Sequence, residues 1–210
     1  ALVFGAGSCG PGWGNGKAAA VAYARAGASV VAVDLDIERA DETRSIIEQE
    51  GGNCLALKAD VTKAGEVEEA VARTVSAHGR IDILHNNVGR SEGDTETTEM
   101  DASIWDQLME MNLKGMFMTC KHVLPVMRGQ KSGNIINISS IASICSHNSI
   151  TYKTGKGAVN TMTHHLAMEN AEFGIRANAI LPGLMDTPMA IERRAREQNV
   201  HREEVREARH

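Results

Sequence analysis

Short apolar runs rich in Val, Ile and Leu recur along the chain, each followed by a longer stretch whose apolar residues repeat at helical spacing. Such runs, lacking polar alternation, are the pattern of strands buried on both faces, as in a parallel sheet covered by helices. The strand candidates are 1–4, 28–34, 53–58, 81–85, 133–138 and 175–181; the helix candidates lie at about 15–26, 37–50, 63–78, 101–111, 113–128 and 152–173. Parallel strands need long crossover connections, and right-handed crossovers place helices on both faces of the sheet. The expectation is therefore an α/β chain with one doubly wound, mostly parallel sheet. No internal repeat or low-complexity linker divides the 210 residues, so a single domain is expected over 1–210.

Composition narrows the class. Apolar residues make up 42% and charged residues 23%, which is ordinary globular usage and excludes a disordered chain. With 22 Lys and Arg against 27 Asp and Glu, the net charge is -5 and no cationic stripe recruits nucleic acid or an anionic membrane. No apolar run approaches the roughly 20 residues that span a bilayer. Cys9, Cys54, Cys120 and Cys145 lie far apart without a Cys-x-x-Cys pair, so they read as reduced and mostly packed, which suits a soluble cytoplasmic protein. His164-His165, His122 and His147 lack ligand spacing to nearby acids, and no metal is expected. Residue 1 is Ala and opens directly on an apolar strand, which points to a start further upstream.

The first strand runs into Gly5-Ala6-Gly7-Ser8-Cys9-Gly10-Pro11-Gly12-Trp13-Gly14-Asn15-Gly16 and then an Ala-rich helix. Glycines let backbone approach a pyrophosphate, and the helix start offers free N–H groups and a partial positive charge. Strand, loop and helix in this order point to dinucleotide binding in a Rossmann-type fold, with Gly5, Ser8, Gly14 and Gly16 as candidate contacts. Asp34 closes the second strand, where a carboxylate can accept the adenine-ribose hydroxyls and would repel a 2′-phosphate, which favours NAD over NADP. Asp36 suits the cap of the next helix, and Asp60-Val61 at the end of the third strand could reach the adenine.

Tyr152 and Lys156 stand at i and i+4, so they meet on one helix face. A phenol titrates near 10 in isolation, and a neighbouring ammonium favours its ionised form, which makes a general base usable near neutral pH. The strand Asn134-Ile135-Ile136-Asn137-Ile138 delivers Ser139-Ser140 at its carboxyl end, and Asn86-Asn87-Val88-Gly89 ends the strand candidate 81–85 at the same edge, where open α/β sheets bind ligands. A hydroxyl there can hydrogen-bond a substrate oxygen as charge shifts onto it.

Taken together, these motifs resemble the short-chain dehydrogenase/reductase family over nearly the whole chain. The glycine loop lies at Gly5 to Gly16, the acid at Asp34 and the Asn-Asn-Ala-Gly motif at Asn86 to Gly89. The helix asparagine is Asn112, the serine falls at Ser139-Ser140, and Tyr152 to Lys156 forms the Tyr-x-x-x-Lys motif. Pro182-Gly183 is the turn that precedes Thr187. The resemblance implies hydride transfer between NAD and an alcohol or ketone. In it Tyr152 exchanges the alcohol proton, Lys156 lowers the Tyr152 pKa and holds the nicotinamide ribose, Ser140 orients the substrate oxygen and Asn112 fixes a water leading from Lys156 to solvent. Asn87 and Gly89 would line the adenosine side, and Met185 with Thr187 the nicotinamide end.

Several residues depart from the family pattern. Phe4 replaces the usual Thr before the first glycine, and Cys9-Gly10-Pro11-Gly12-Trp13 lengthens the loop. The stretch from Ser140 to Tyr152 is about one residue short, which leaves Ser139 a competitor for the serine's role. The family's last helix and strand are missing, so an open sheet edge is expected. Residues 184–210 read as a substrate-side lid or terminal helix, with Glu192 and Arg196 at favourable i,i+4 order. Met109, Met111, Met116 and Met118 suit core or subunit contact, and the family's habit of pairing through the helices carrying Asn112 and Tyr152 implies a homodimer or homotetramer. The competing reading is a catalytically degenerate dinucleotide-binding or scaffold protein.

Overall fold

The computed structural model describes residues 1–145 and 148–208, with the side chains of all of these except 192–194, 196 and 197. Six strands form one sheet: β1 (Leu2–Phe4), β2 (Val30–Asp34), β3 (Cys54–Lys58), β4 (Ile83–Asn86), β5 (Gly133–Ile138) and β6 (Ile175–Ile180). Every pairing is parallel, and the order is β3-β2-β1-β4-β5-β6. The helices are α1 (Asn15–Arg25), α2 (Ile37–Gln49), α3 (Ala64–His78), α4 (Ala102–Met109), α5 (Gly115–Gln130), α6 (Ile150–Glu169), α7 (Pro188–Gln198) and α8 (Arg202–Glu207).

Strand alternation sorts the core into two layers. Leu2, Phe4, Val31, Val33, Leu84 and Ile135 face Val67 and Val71 of α3, Val123 and Met127 of α5 and Leu166 of α6. Val3, Val30 and Ala32 face the other way, onto Ala20 and Val21 of α1 and Ile47 of α2. Each such side chain, fully withdrawn from water, contributes about 1.5–3 kcal/mol before the entropy of ordering is charged against it. The chain leaves β1 and β4 toward opposite faces, which opens a crevice at their carboxyl ends.

Two expectations need correction. The helix predicted to break at Asn112 does not break: α4 passes through a π-helical turn, Glu110–Lys114, straight into α5. The charged terminal stretch is two helices, not one. Asn199 takes a left-handed φ of 51° and His201 caps α8, while Ile191, Ala195 and Val205 bury one another. The expected Glu192–Arg196 pair and His147 lie outside the described residues and side chains. Among the described residues β6 pairs only with β5 and forms the sheet edge, with alternate residues from Ile175 to Asn178 buried and exposed.

Candidate active site

At the mouth of the crevice the chain turns out of β1 on Gly5, whose φ of +74° is costly for any residue with a Cβ. Gly5 and Ala6 both donate their N–H groups to Val33 O, at 2.8 and 3.0 Å, so β2 steadies the loop where Phe4 cannot. A Cβ on Gly16 would stand 1.9 Å from Gly5 O, and Asn87 Nδ2 donates to that same oxygen at 3.1 Å. The helix start is thus pressed against the loop backbone. No side chain caps α1 and its first turn holds no acid, so the amide groups after Gly14 suit an anion such as pyrophosphate. Ser8 is buried with its hydroxyl donating to Gly10 O at 2.8 Å, closing the inserted turn on itself.

The inserted residues are anchored by a side chain that the sequence reading passed over. Lys17, only 3% exposed, places Nζ 2.5 Å from Glu42 Oε1, 5.7 Å from the centroid of the Trp13 ring and 3.5 Å from Gly12 O. A methyl on Gly12 would reach Pro188 Cγ at 3.7 Å, so this loop borders the start of α7.

At the adenosine end Asp34 Oδ2 accepts from Gly7 N at 2.9 Å and Oδ1 from Asp36 N at 3.2 Å. A Cβ on Gly7 would meet Asp34 Oδ2 at 2.8 Å and Arg39 Cβ at 2.5 Å, so the loop and the carboxylate touch backbone to side chain. Asp36 caps α2 through Glu38 N, as its position suggested. Asp60 turns its Oδ1 onto the N–H and hydroxyl of Thr62, at 2.9 and 2.8 Å, and buried Val61 packs on Gly115, where a Cβ would stand 2.6 Å from Val61 Cγ2.

At the other end the catalytic candidates converge from four elements. Lys156 of α6 is buried, its Nζ donates to Ile138 O at the end of β5 at 2.6 Å, and the same Nζ lies 5.7 Å from the centroid of the half-buried Tyr152 ring. Burial pushes the Lys156 ammonium down to about 8 by disfavouring its charged form. A Cβ on Gly89 would stand 3.2 Å from both Lys156 Nζ and Asn112 Oδ1, so only bare backbone fits between them. Asn112 clasps Arg90 with its side-chain amide, accepting from its N–H and donating to its carbonyl, each at 2.8 Å. Asn112 sits in a π-helical turn, where backbone groups leave the regular ladder.

The adjacent serines differ in what they can offer. Ser139 is buried with its hydroxyl donating to Lys156 O at 3.0 Å, whereas Ser140 is half-buried, caps the next turn by accepting from Ala142 N at 3.1 Å, and keeps its proton to give. Beyond β6, Thr187 is buried, its N–H donates to Met185 O at 3.1 Å, and Met185 itself is half-exposed.

Behind these groups runs a fully buried polar chain. Thr119 of α5 donates to Asn86 Oδ1 at 2.7 Å, Asn86 Nδ2 donates to Asn137 Oδ1 at 2.9 Å, and Asn137 Nδ2 donates to Thr163 of α6 at 2.9 Å. Asn86 and Asn137 are register partners in β4 and β5, so the chain ties α5 to α6 across one face of the sheet. Both asparagines stood inside motifs, but only strand register shows that they meet.

Away from the cleft, Met109, Leu113, Phe117 and Met162, with Asp106, Glu110 and Lys114, line an open groove of about 570 Å³ on α4, α5 and α6. His164 and His165 lie on the exposed surface, and all four cysteines are free thiols. No described helix is long and apolar enough to cross a membrane.

Comparison with known proteins agrees with this geometry. The short chain dehydrogenase family matches residues 1–198. The 2-(R)-hydroxypropyl-CoM dehydrogenase of Xanthobacter autotrophicus is 40% identical over 195 residues, which cover 90% of this chain and 75% of that protein. The 3-oxoacyl-[acyl-carrier-protein] reductase FabG of Thermotoga maritima is 35% identical, covering 90% of this chain and 74% of its own. Among solved structures, a short-chain dehydrogenase/reductase from Burkholderia xenovorans superposes with a TM-score of 0.89 at 40% identity, covering 94% of this chain and 79% of that one. An NAD+-bound xylitol dehydrogenase does so with a TM-score of 0.87 at 30% identity, covering 94% and 74%. With its sheet order, its glycine turn and these relatives, the chain belongs to the short-chain dehydrogenase/reductase family of oxidoreductases, which use nicotinamide dinucleotides.

Proposed function

We propose that the protein interconverts a secondary alcohol and a ketone with NAD(H), using Tyr152 as general acid and base. The observation that carries this reading is the Tyr152 ring set 5.7 Å from a buried Lys156 ammonium at the carboxyl edge of β5. The bound nicotinamide supplies or takes the hydride. Tyr152 moves the proton at the substrate oxygen, and Lys156 favours its phenolate because a positive charge in a poorly solvated site acts strongly at short range. Lys156 also gives up its own proton near 8, so it can pass one toward the Asn112 turn. The Ser140 hydroxyl donates to the substrate oxygen as negative charge grows there. Gly5, Ser8, Gly14 and Gly16 would hold the pyrophosphate, Asn87 and Gly89 the adjoining backbone side, and Met185 and Thr187 the nicotinamide end.

NAD is preferred because Asp34, already fixed to the loop through Gly7 N, would face a 2′-phosphate with like charge. Phe4 and the lengthened loop would favour a non-catalytic dinucleotide binder, but the bonds to Val33 O supply the steadiness that the missing Thr would have given. Residues 184–208 serve as the substrate-side lid. The apolar groove on α4, α5 and α6 supports pairing of two copies through that face, since it lies on the helices that carry Asn112 and Tyr152. The named relatives are a hydroxypropyl-CoM dehydrogenase, a 3-oxoacyl-[acyl-carrier-protein] reductase and a xylitol dehydrogenase, so the alcohol and ketone panel must span those substrates. A coupled absorbance screen of that panel with NAD and NADP in parallel is expected to show NAD-dependent turnover. Tyr152→Phe is expected to lose about a thousandfold or more in turnover while NADH still binds. Retained turnover in that variant would remove the tyrosine from its role.

A further inference from the structure

Helix α6 begins without a cap of its own. Ser149 makes no side-chain capping bond and the first turn carries no acidic residue. Its leading N–H groups are satisfied instead from the loop after β4. Ile150 N donates to Thr95 O at 3.1 Å, Thr151 N to Asp94 Oδ1 at 3.1 Å and Tyr152 N to Asp94 Oδ2 at 2.6 Å. One carboxylate from a distant stretch of chain thus takes both oxygens to successive amides of the helix start, one of them that of Tyr152 itself.

We propose that Asp94 is a positioning residue for Tyr152, fixing the first turn of α6 so that the phenol stays beside Lys156. This deepens the reading of Tyr152 as acid and base and rests on it. A carboxylate bonded to helix N-terminal amides is favoured both by its charge and by the helix dipole. On the far side of the same turn Lys153 Nζ donates to Ala142 O at 3.2 Å and to Cys145 O, so Tyr152 is braced from two loops. Loss of one brace lets the first turn fray, and a misplacement of about 1 Å in a reacting group can cost up to about a hundredfold.

The test is steady-state kinetics of Asp94→Ala and Asp94→Asn beside the wild-type chain. Asp94→Ala is expected to lower kcat about tenfold at saturating NADH and ketone, while KM for the ketone moves less than about threefold and NADH affinity is unchanged. Asp94→Asn, whose amide oxygen can still accept from one of the two N–H groups, is expected to recover more than half of that loss on a logarithmic scale. A loss confined to KM, or kcat within about twofold of wild type in Asp94→Ala, overturns the proposal. Amide hydrogen exchange at 150–152, read without substrate, adds a measure free of turnover: protection is expected to fall in Asp94→Ala. Should that variant not fold, faster exchange at Thr151 or Tyr152 in Asp94→Asn supports the tether, and unchanged exchange at both refutes it. A wild-type chain inactive on the whole panel refutes the function reading, and this proposal with it; an active wild type with an indifferent Asp94→Ala refutes this proposal alone.

Discussion

His85 makes the fold sensitive to acid, and the size of the effect can be worked out. It sits on β4, 4% exposed, with Tyr23 Oη 3.0 Å from its Nδ1 and the two rings edge to face at 5.7 Å. Burial raises the Tyr23 pKa, so the phenol stays protonated within hydrogen-bond reach of Nδ1. Nε2 is buried and has no partner among the described residues. Protonating the ring would add a charge in apolar surroundings, and burial accordingly pushes His85 from 6.5 down to about 4. The unfolded chain therefore binds the proton first as pH falls. Stability is lost from about 6.5 downward and the loss is complete near 4, amounting to ~3 kcal/mol in all. Between pH 7 and 5 the share is ~2 kcal/mol. Urea unfolding at those two values should show His85→Gln, which keeps an acceptor for Tyr23 but does not titrate, losing ~2 kcal/mol less than wild type across the interval. Parallel losses in the two proteins would refute the reasoning.

Two further substitutions test the site from opposite directions. Gly16→Ala puts a methyl where Gly5 O stands 1.9 Å away, so α1 must move off the loop; NADH affinity is expected to fall by about tenfold or more, read by fluorescence titration, and unchanged affinity would contradict the close packing. Lys156→Met is expected to lose turnover by about a hundredfold or more, yet to unfold at an equal or higher urea midpoint. The displacement of Lys156 from 10.5 to about 8 means that keeping it charged at neutral pH costs the fold up to ~3 kcal/mol, and a clearly lower midpoint would count against that cost.

Much of this was legible in one dimension because period and punctuation carry it. The run 133–138 is a strand from end to end as expected, and Tyr152 and Lys156 meet because a helix brings i and i+4 together. What escaped depends on register or on distant chain. The break expected at Asn112 failed because an amide bound to Arg90 lets the residue sit inside a π turn, which no local pattern announces. No motif singles out Lys17; only the fold of the inserted glycines shows it buried beneath Trp13. Asp94 lies in an irregular stretch with no periodicity, and its partners are 57 and 58 residues away. His85 gave no signal because a strand residue's neighbours across the sheet are unknown until the order of strands is.

The buried row from Thr119 through Asn86 and Asn137 to Thr163 has a consequence for how this sequence can diverge. Exchanging Asn137 alone for leucine would take the acceptor from the buried Asn86 amide, at about 1–3 kcal/mol, while Thr163 keeps its bond to Val159 O; swapping the whole row for aliphatic groups of like volume would be far milder. Between those two states every intermediate is worse than either end. A descendant that loses one of the four is therefore expected to have lost its neighbours too.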